Sequence, residues 1–274
     1  MSGTLRICAT PIGNLGDLTP RVRDALRAAA VIACEDTRRT RVLLTANGLT
    51  TPLQRMDEER ESVEGPRLVR RLLAGEDVCV VSDAGMPAIA DPGRRLVAAA
   101  LAAGVRVEVL PGASAVTTAL VASGLAADRF AFVAFLPRTR GALVGLLDEV
   151  DRWGVPIVAF DAPGRISKTL AVIADRTPDR PVAVCRELTK LHEEVVHGSA
   201  SEVAARFTGP ARGELTVVLG AVDAAPPTAA DADLDAVLRG LRSGGMGAKQ
   251  ASELVARLTG LPRRDLYARQ TDGR

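Results

Sequence analysis

The stretch DVCVVSDAGMPAIADPG, Asp77–Gly93, decides the fold. Val78 to Val81 form an unbroken apolar run of strand length. Unbroken apolarity marks a parallel strand covered on both faces. Ser82 to Gly93 then bring paired prolines, glycines and acids. A plain connector needs only a turn. Bare backbone held stiff by proline suits a loop that a ligand approaches closely.

The same rhythm extends on either side. LRICATP (5–11), VIACED (31–36) and VRVEVLPG (105–112) read as strands. TPRVRDALRAAA (19–30) reads as a helix with Thr19 as N-cap and Pro20 at its first position. TRRTRVLLTANG (37–48) is a helix stopped by Asn47 and Gly48. GRRLVAAALAAG (93–104) and SAVTTALVASG (114–124) are helices, the second capped by Ser114. Asp91-Pro92-Gly93 reads as a helix start, with Asp91 capping and Pro92 as first residue. This alternation predicts an α/β fold with a parallel sheet.

Near residue 125 the rhythm pauses and a second set begins. FAFVAFLP (130–137), VPIVAFDAP (155–163), RPVAVCREL (180–188) and GELTVVLGAV (213–222) read as strands. GALVGLLDEVDRWG (141–154), ISKTLAVIADRT (166–177) and SASEVAARF (199–207) read as the helices between them. DAAPPTAADAD (223–233) has linker composition, and helical periodicity returns over 233–244, 248–260 and 262–269. The expected organisation is a first α/β domain over 1–124, a second over 125–222, and a linker with a small helical appendage over 223–274.

Composition narrows the function. Aromatics are 3% of the chain and the net charge is +2. Recognition by many stacked aromatics is disfavoured, and a polyanion must be met by a local patch. Nearly all the positive charge is arginine, which suits bidentate phosphate contacts. Cys8, Cys34, Cys79 and Cys185 lie in apolar runs and make no C-x-x-C pair. They read as core residues of a reduced, cytoplasmic protein, and a metal site is not expected. No apolar run is long enough to span a membrane.

In open α/β sheets ligands bind outside the carboxyl ends of the strands. There the first domain offers TPIGNLGD, CEDTRRT, SDAGMPAIADPG and LPGAS. Each alone is an ordinary turn; four on one edge predict a cleft. Neither G-x-G-x-x-G nor G-x-x-x-x-G-K-[ST] occurs, which disfavours a dinucleotide or a gripped triphosphate. Backbone groups and carboxylates suit a polar ligand with amino, hydroxyl and cationic groups.

Together, ATPIGNLGD (9–17), EDTRRTRVLL (35–44), SDAGMPAIADPG (82–93), LPGASA (110–115), RELTKLHEE (186–194) and GELTVVLG (213–220) resemble the tetrapyrrole methylase superfamily. More narrowly, they resemble its small subunit ribosomal RNA methyltransferase I branch. The resemblance implies two α/β domains with S-adenosylmethionine (SAM) in the cleft between them. It also implies 2'-O-methylation of a cytidine in 16S rRNA near the decoding centre, and a homodimer. The chain departs from the pattern at Met86, where threonine is common, at Arg55–Glu59 and at AFDAPGR (159–165).

By that resemblance Asp83, Ala84 and Gly85 line the SAM site, with Pro87 and Ile89 shaping it. Pro111, Gly112, Ser114 and Ala115 form the next SAM loop, Pro11 is a wall, and Phe160 to Ala162 with Leu215 to Val217 meet adenine. Ser114 caps a helix, meets SAM, or does both. A ribose 2'-hydroxyl is a weak nucleophile, so a base or charge relay should assist. Glu35, Asp36, Glu187 and Lys190 are the candidates, since each follows a strand toward the cleft. Lys190 acts as a base if its pKa is depressed, or grips a phosphate. The alternative is a surface ion-pair set. Arg38, Arg39 and Arg41 read as phosphate contacts or as a solvated helix face. Two other readings stay open: a small-molecule tetrapyrrole methylase, and a non-catalytic SAM-binding ribosome-assembly factor. RELTK and the arginines favour RNA, free or in the 30S particle.

Overall fold

The structure, a computed structural model, describes residues 2–222 and 231–270. The chain divides into two compact units: Met1–Leu143 with Pro156–Gly220, and Val144–Val155 with Ala221–Arg274. Both sheets lie in the first.

The first sheet follows the expected alternation. Its elements are β1 (Thr4–Cys8), α1 (Pro20–Ala28), β2 (Val31–Cys34), α2 (Thr37–Ala46), β3 (Leu53–Arg55), α3 (Glu61–Leu73), β4 (Val78–Val81), α4 (Arg94–Ala102), β5 (Arg106–Leu110) and α5 (Ala115–Ala122). The strand order is β3-β2-β4-β1-β5, and every pairing is parallel. The unbroken apolarity of β2 and β4 has a direct cause. Val31, Ala33, Val78 and Val80 pack on one face with Leu68 and Leu72 of α3 and Leu96 and Ala100 of α4. Ile32, Cys34, Cys79 and Val81 pack on the other with Val22 and Leu26 of α1 and Leu44 of α2. Successive strand residues point to opposite faces, so a sheet covered twice needs apolar residues at every position.

The second sheet is built from β6 (Ala131–Phe135), α6 (Arg140–Asp151), β7 (Ile157–Asp161), α7 (Ile166–Arg176), β8 (Pro181–Arg186), β9 (Glu194–Ser199), α8 (Ala200–Arg206) and β10 (Leu215–Leu219). Its order is β6-β7-β10-β8-β9. Only β6 and β7 run parallel; the other pairings are antiparallel. The boundary read near residue 125 falls between α5 and β6.

In the second unit α9 (Asp231–Ser243), α10 (Ala248–Thr259) and α11 (Arg263–Ala268) enclose a small core of Leu234, Leu238, Ala251, Val255 and Leu266. Most of the linker read at 223–233 lies outside the described residues. All four cysteines are buried and free. No helix among the described residues is long and apolar enough to cross a membrane.

Two capping expectations are corrected. α4 starts at Arg94, after Gly93 at φ +125°, and Asp91 does not cap it. Buried Glu61 of α3 takes that role. Its Oε1 accepts the N–H groups of Gly93 (3.0 Å), Arg95 (3.0 Å) and Leu96 (3.2 Å). A carboxylate on a neighbouring helix thereby satisfies unpaired first-turn donors and faces the positive end of the helix dipole. Ser114 does precede α5, but its hydroxyl makes no capping bond.

Candidate active site

The four strand-end loops meet. Thr10 and Gly85 exchange backbone hydrogen bonds, Thr10 N–H to Gly85 O at 2.9 Å and Gly85 N–H to Thr10 O at 3.1 Å. The Thr10 hydroxyl donates to Ser82 O (3.1 Å), which ties the β1 loop to the β4 loop again. The β5 loop closes on both: a Cβ at Gly112 would stand 2.9 Å from that of Ala9, and one at Gly85 3.7 Å from Ala113 O. The β2 loop joins through Asp83, whose Oδ1 accepts the Asp36 N–H (3.2 Å) and whose Oδ2 accepts from Arg39 (3.1 Å).

The second sheet supplies the facing wall. Ala84, Ala115 and Phe160 pack on one cluster with Ile12, Val116, Val158 and Leu188. Three residues assigned to SAM from three separate stretches of sequence therefore share one apolar floor. Phe160 also meets Phe132 and Phe135 edge-on, with centroids 5.0 and 5.4 Å away. Pro11 and Pro87 are buried, while Pro111, Gly112 and Ile89 are exposed at the rim. Ala162 sits at the end of β7, its N–H on Asp161 Oδ1 (2.8 Å).

Above this floor a cavity of about 430 Å³ is lined by Glu35, Asp36, Thr37, Arg38, Arg55, Asp57 and Asp83. Its carboxylates differ in character. Asp36 is the N-cap of α2: Oδ1 accepts the Arg38 N–H (2.8 Å), and Oδ2 accepts from the Arg38 guanidinium (2.8 Å). That guanidinium holds Asp36 well below the usual carboxylate range. Its lone pairs are committed, which makes it a poor proton acceptor. Glu35 is pushed up, by burial first and then by Asp83 and Asp57.

Glu187 and Lys190 form a separate knot with Glu214. Lys190 Nζ donates to Glu187 Oε1 (2.8 Å) and Glu214 Oε2 (3.1 Å), and the Glu214 N–H donates to Glu187 Oε1 (2.9 Å). Burial pulls Lys190 down, but the two carboxylates outweigh it and its pKa is raised. A depressed pKa, the condition for Lys190 to act as a base, is not met in this arrangement. Glu187 is lowered, chiefly by Lys190. Glu187 and Thr189 both sit at positive φ, 53° and 67°. The Asn14 N–H reaches Thr189 Oγ1 at 3.1 Å, so this knot abuts the β1 loop. Arg39 also spans from Asp83 to Glu214 (3.7 Å). Arg41 stands exposed on α2.

Arg55, Asp57, Asp91 and Glu214 are the polar residues here that sequence reasoning did not assign. Asp57 follows a three-residue strand too short to signal itself, whereas Glu214 lay inside a quoted motif.

The chain matches the tetrapyrrole (corrin/porphyrin) methylases over residues 4–204. It also matches an RsmI C-terminal HTH domain over 228–271. It is 40% identical over 268 residues to ribosomal RNA small subunit methyltransferase I of Synechocystis sp., covering 97% of this chain and 96% of the relative. The protein of that name from Mycobacterium tuberculosis is 43% identical over 270 residues, covering 97% and 94%. The chain belongs to the ribosomal RNA small subunit methyltransferase I family.

Among solved structures, the chain resembles diphthine synthase with a TM-score of 0.63 at 16% identity, covering 80% of this chain and 90% of that one. Cobalt precorrin-4 methyltransferase gives 0.60 at 18%, covering 79% and 94%. At such identities the likeness establishes the tetrapyrrole methylase fold. Family membership makes the chain a methyltransferase and places its candidate residues on the strand-end cavity.

Proposed function

We propose that the protein transfers a methyl group from SAM to the 2'-hydroxyl of a cytidine in 16S rRNA near the decoding centre, acting in the cytoplasm as a homodimer. The observation that carries this reading is agreement along nearly the whole chain with relatives named for the ribosomal RNA small subunit, the C-terminal region included.

The residues present fit SAM. Gly85 and Gly112 leave bare backbone where a side chain would fill the space, with Ala84, Ala115 and Phe160 as an apolar bed. Asp83 and the acidic floor suit a cation. SAM supplies a methyl group on a positively charged sulfonium. The protein's part is to hold the ribose oxygen in line with that carbon and to receive its proton, and positioning supplies much of the rate. Glu35 lines the cavity with a raised pKa, which suits it to receive the proton. Lys190 stays cationic and suits a phosphate. Arg38 and Arg39 are already ion-paired with Asp36 and Asp83, so a phosphate must exchange with a carboxylate to engage them.

The test offers methyl-labelled SAM with 30S subunits, free 16S rRNA, or a tetrapyrrole macrocycle, followed by digestion to nucleosides. Label is expected in 2'-O-methylcytidine from one of the RNA substrates. Label in the macrocycle, or in none of them, contradicts the proposal.

A further inference from the structure

β2 and β4 are neighbouring parallel strands with Cys34 opposite Val81. The next residues, Glu35 and Ser82, therefore leave the sheet side by side. The Asp36 N–H on Asp83 Oδ1 carries the alignment one residue further. Ser82 is buried, and its hydroxyl is hydrogen-bonded to Asp91. The loop has thus doubled back to bring Asp91 to the strand end from which Glu35 enters the cavity. The return is made through Ala88 and Ala90, both at positive φ (66° and 61°), a conformation that alanine avoids. Strain of this kind persists where the surroundings enforce it, commonly at functional sites. Asp91 also has no capping duty, because Glu61 holds the start of α4.

We propose that Asp91 is a positioning residue for proton removal: it sets a second carboxyl behind Glu35, which takes the proton of the ribose 2'-hydroxyl. This deepens the proposed 2'-O-methylation and rests on it. In the step the ribose oxygen bonds to the methyl carbon. That carbon's bond to sulfur breaks with its electron pair left on sulfur, and the hydroxyl proton passes to Glu35. The sulfonium charge and the carboxylate charge disappear together.

The charges around the pair set its titration. Burial, then Glu35, then Asp83 raise Asp91, to about 6, against the Ser82 bond. Around Glu35, burial, Asp83, Asp57 and Asp36 raise and Arg39 lowers. Glu61 lies behind the loop on the Gly93 N–H. Repulsion within the pair is mutual, and it shows on Asp91 because Asp91 takes up the first proton. Above that pH Glu35 has a like charge at its back and is the stronger base. As pH falls through about 6, Asp91 becomes neutral and the drive is lost. Asp91→Asn holds Glu35 in the weaker form at every pH.

Single-turnover methylation of 30S subunits across this pH range tests the proposal, with SAM affinity measured by calorimetry. The wild-type rate should inflect near 6. Asp91→Asn should lose the inflection and run slower above it, by up to about tenfold, the equivalent of one unit of base strength. Glu35→Gln should fall by about 10²–10⁴. SAM affinity should hold in both variants. Independently, carboxyl NMR of the free protein should show Asp91 titrating lower in Glu35→Gln, yet still above an ordinary aspartate, since burial is the larger cause. An inflection that survives in Asp91→Asn, or an Asp91 titration unmoved by Glu35→Gln, overturns the proposal. The NMR result decides it even if Asp91→Asn does not fold. A wild-type protein that transfers no methyl to 30S subunits overturns the parent reading too, and the wild-type rate tells the two failures apart.

Discussion

Gly85 combines two requirements that no other residue meets. Its φ is +82°, and a Cβ there would lie 3.4 Å from Ile12 Cγ2. Valine adds the left-handed penalty and drives a branch toward Ile12, so the Thr10–Gly85 bridge should open. The β1 and β4 loops then part beneath the SAM bed. Gly85→Val should weaken SAM binding at least about tenfold, or roughly 1.4 kcal/mol, by calorimetry on the folded variant. Unchanged affinity would remove these loops from the site. Gly85 was legible in the sequence because a glycine beside two prolines is a local signal. The state of Asp36 was not. Its bond to the Arg38 backbone exists only once α2 has formed, and that bond turns a candidate base into a helix cap.

At the scale of elements, Glu61 shows how α3 and α4 depend on each other. One buried carboxylate oxygen serves three N–H groups of the neighbouring helix. Glu61→Ala leaves those donors without an acceptor and should cost about 2–4 kcal/mol in urea unfolding, read as a lower midpoint at unchanged slope. Glu61→Gln keeps an acceptor without the charge and should fall between. An alanine variant within about 0.5 kcal/mol of wild type, the range of ordinary surface substitutions, would contradict this account of the helix start. The strands β1, β2, β4, β5 and β10 could be read because burial on both faces, or a long alternating run, writes apolarity into consecutive residues. Helix α3 could not, since Gly65 and Pro66 interrupt its middle. Strand β3 is three residues long, and β9 opens on Glu194 and carries His197 and Gly198. Both sit at sheet edges, where one neighbour supplies the pairing and local sequence need not. The Asp91 cap failed for a related reason: its replacement, Glu61, comes from a helix that the pattern hides.

Across the molecule, a net charge of +2 leaves no global field to draw in RNA. Recognition must be local, and the arginines best placed for it, Arg38 and Arg39, already hold carboxylates of the site. Arg39 bridges Asp83, on the first sheet's β4 loop, and Glu214, which leads into β10 of the second sheet. The two sheets thus share the polar groups that face the cavity, and the methyl donor's bed and the proton acceptor come from loops on one edge. The central claim is that this edge methylates a ribose of 16S rRNA. The most direct test maps 2'-O-methyl groups by mass spectrometry on 16S rRNA from a strain lacking the protein and from its complemented parent. One 2'-O-methylcytidine near the decoding centre should vanish in the deletion, return with the wild-type protein, and fail to return with Gly85→Val. Identical methylation maps in the two strains would contradict the account.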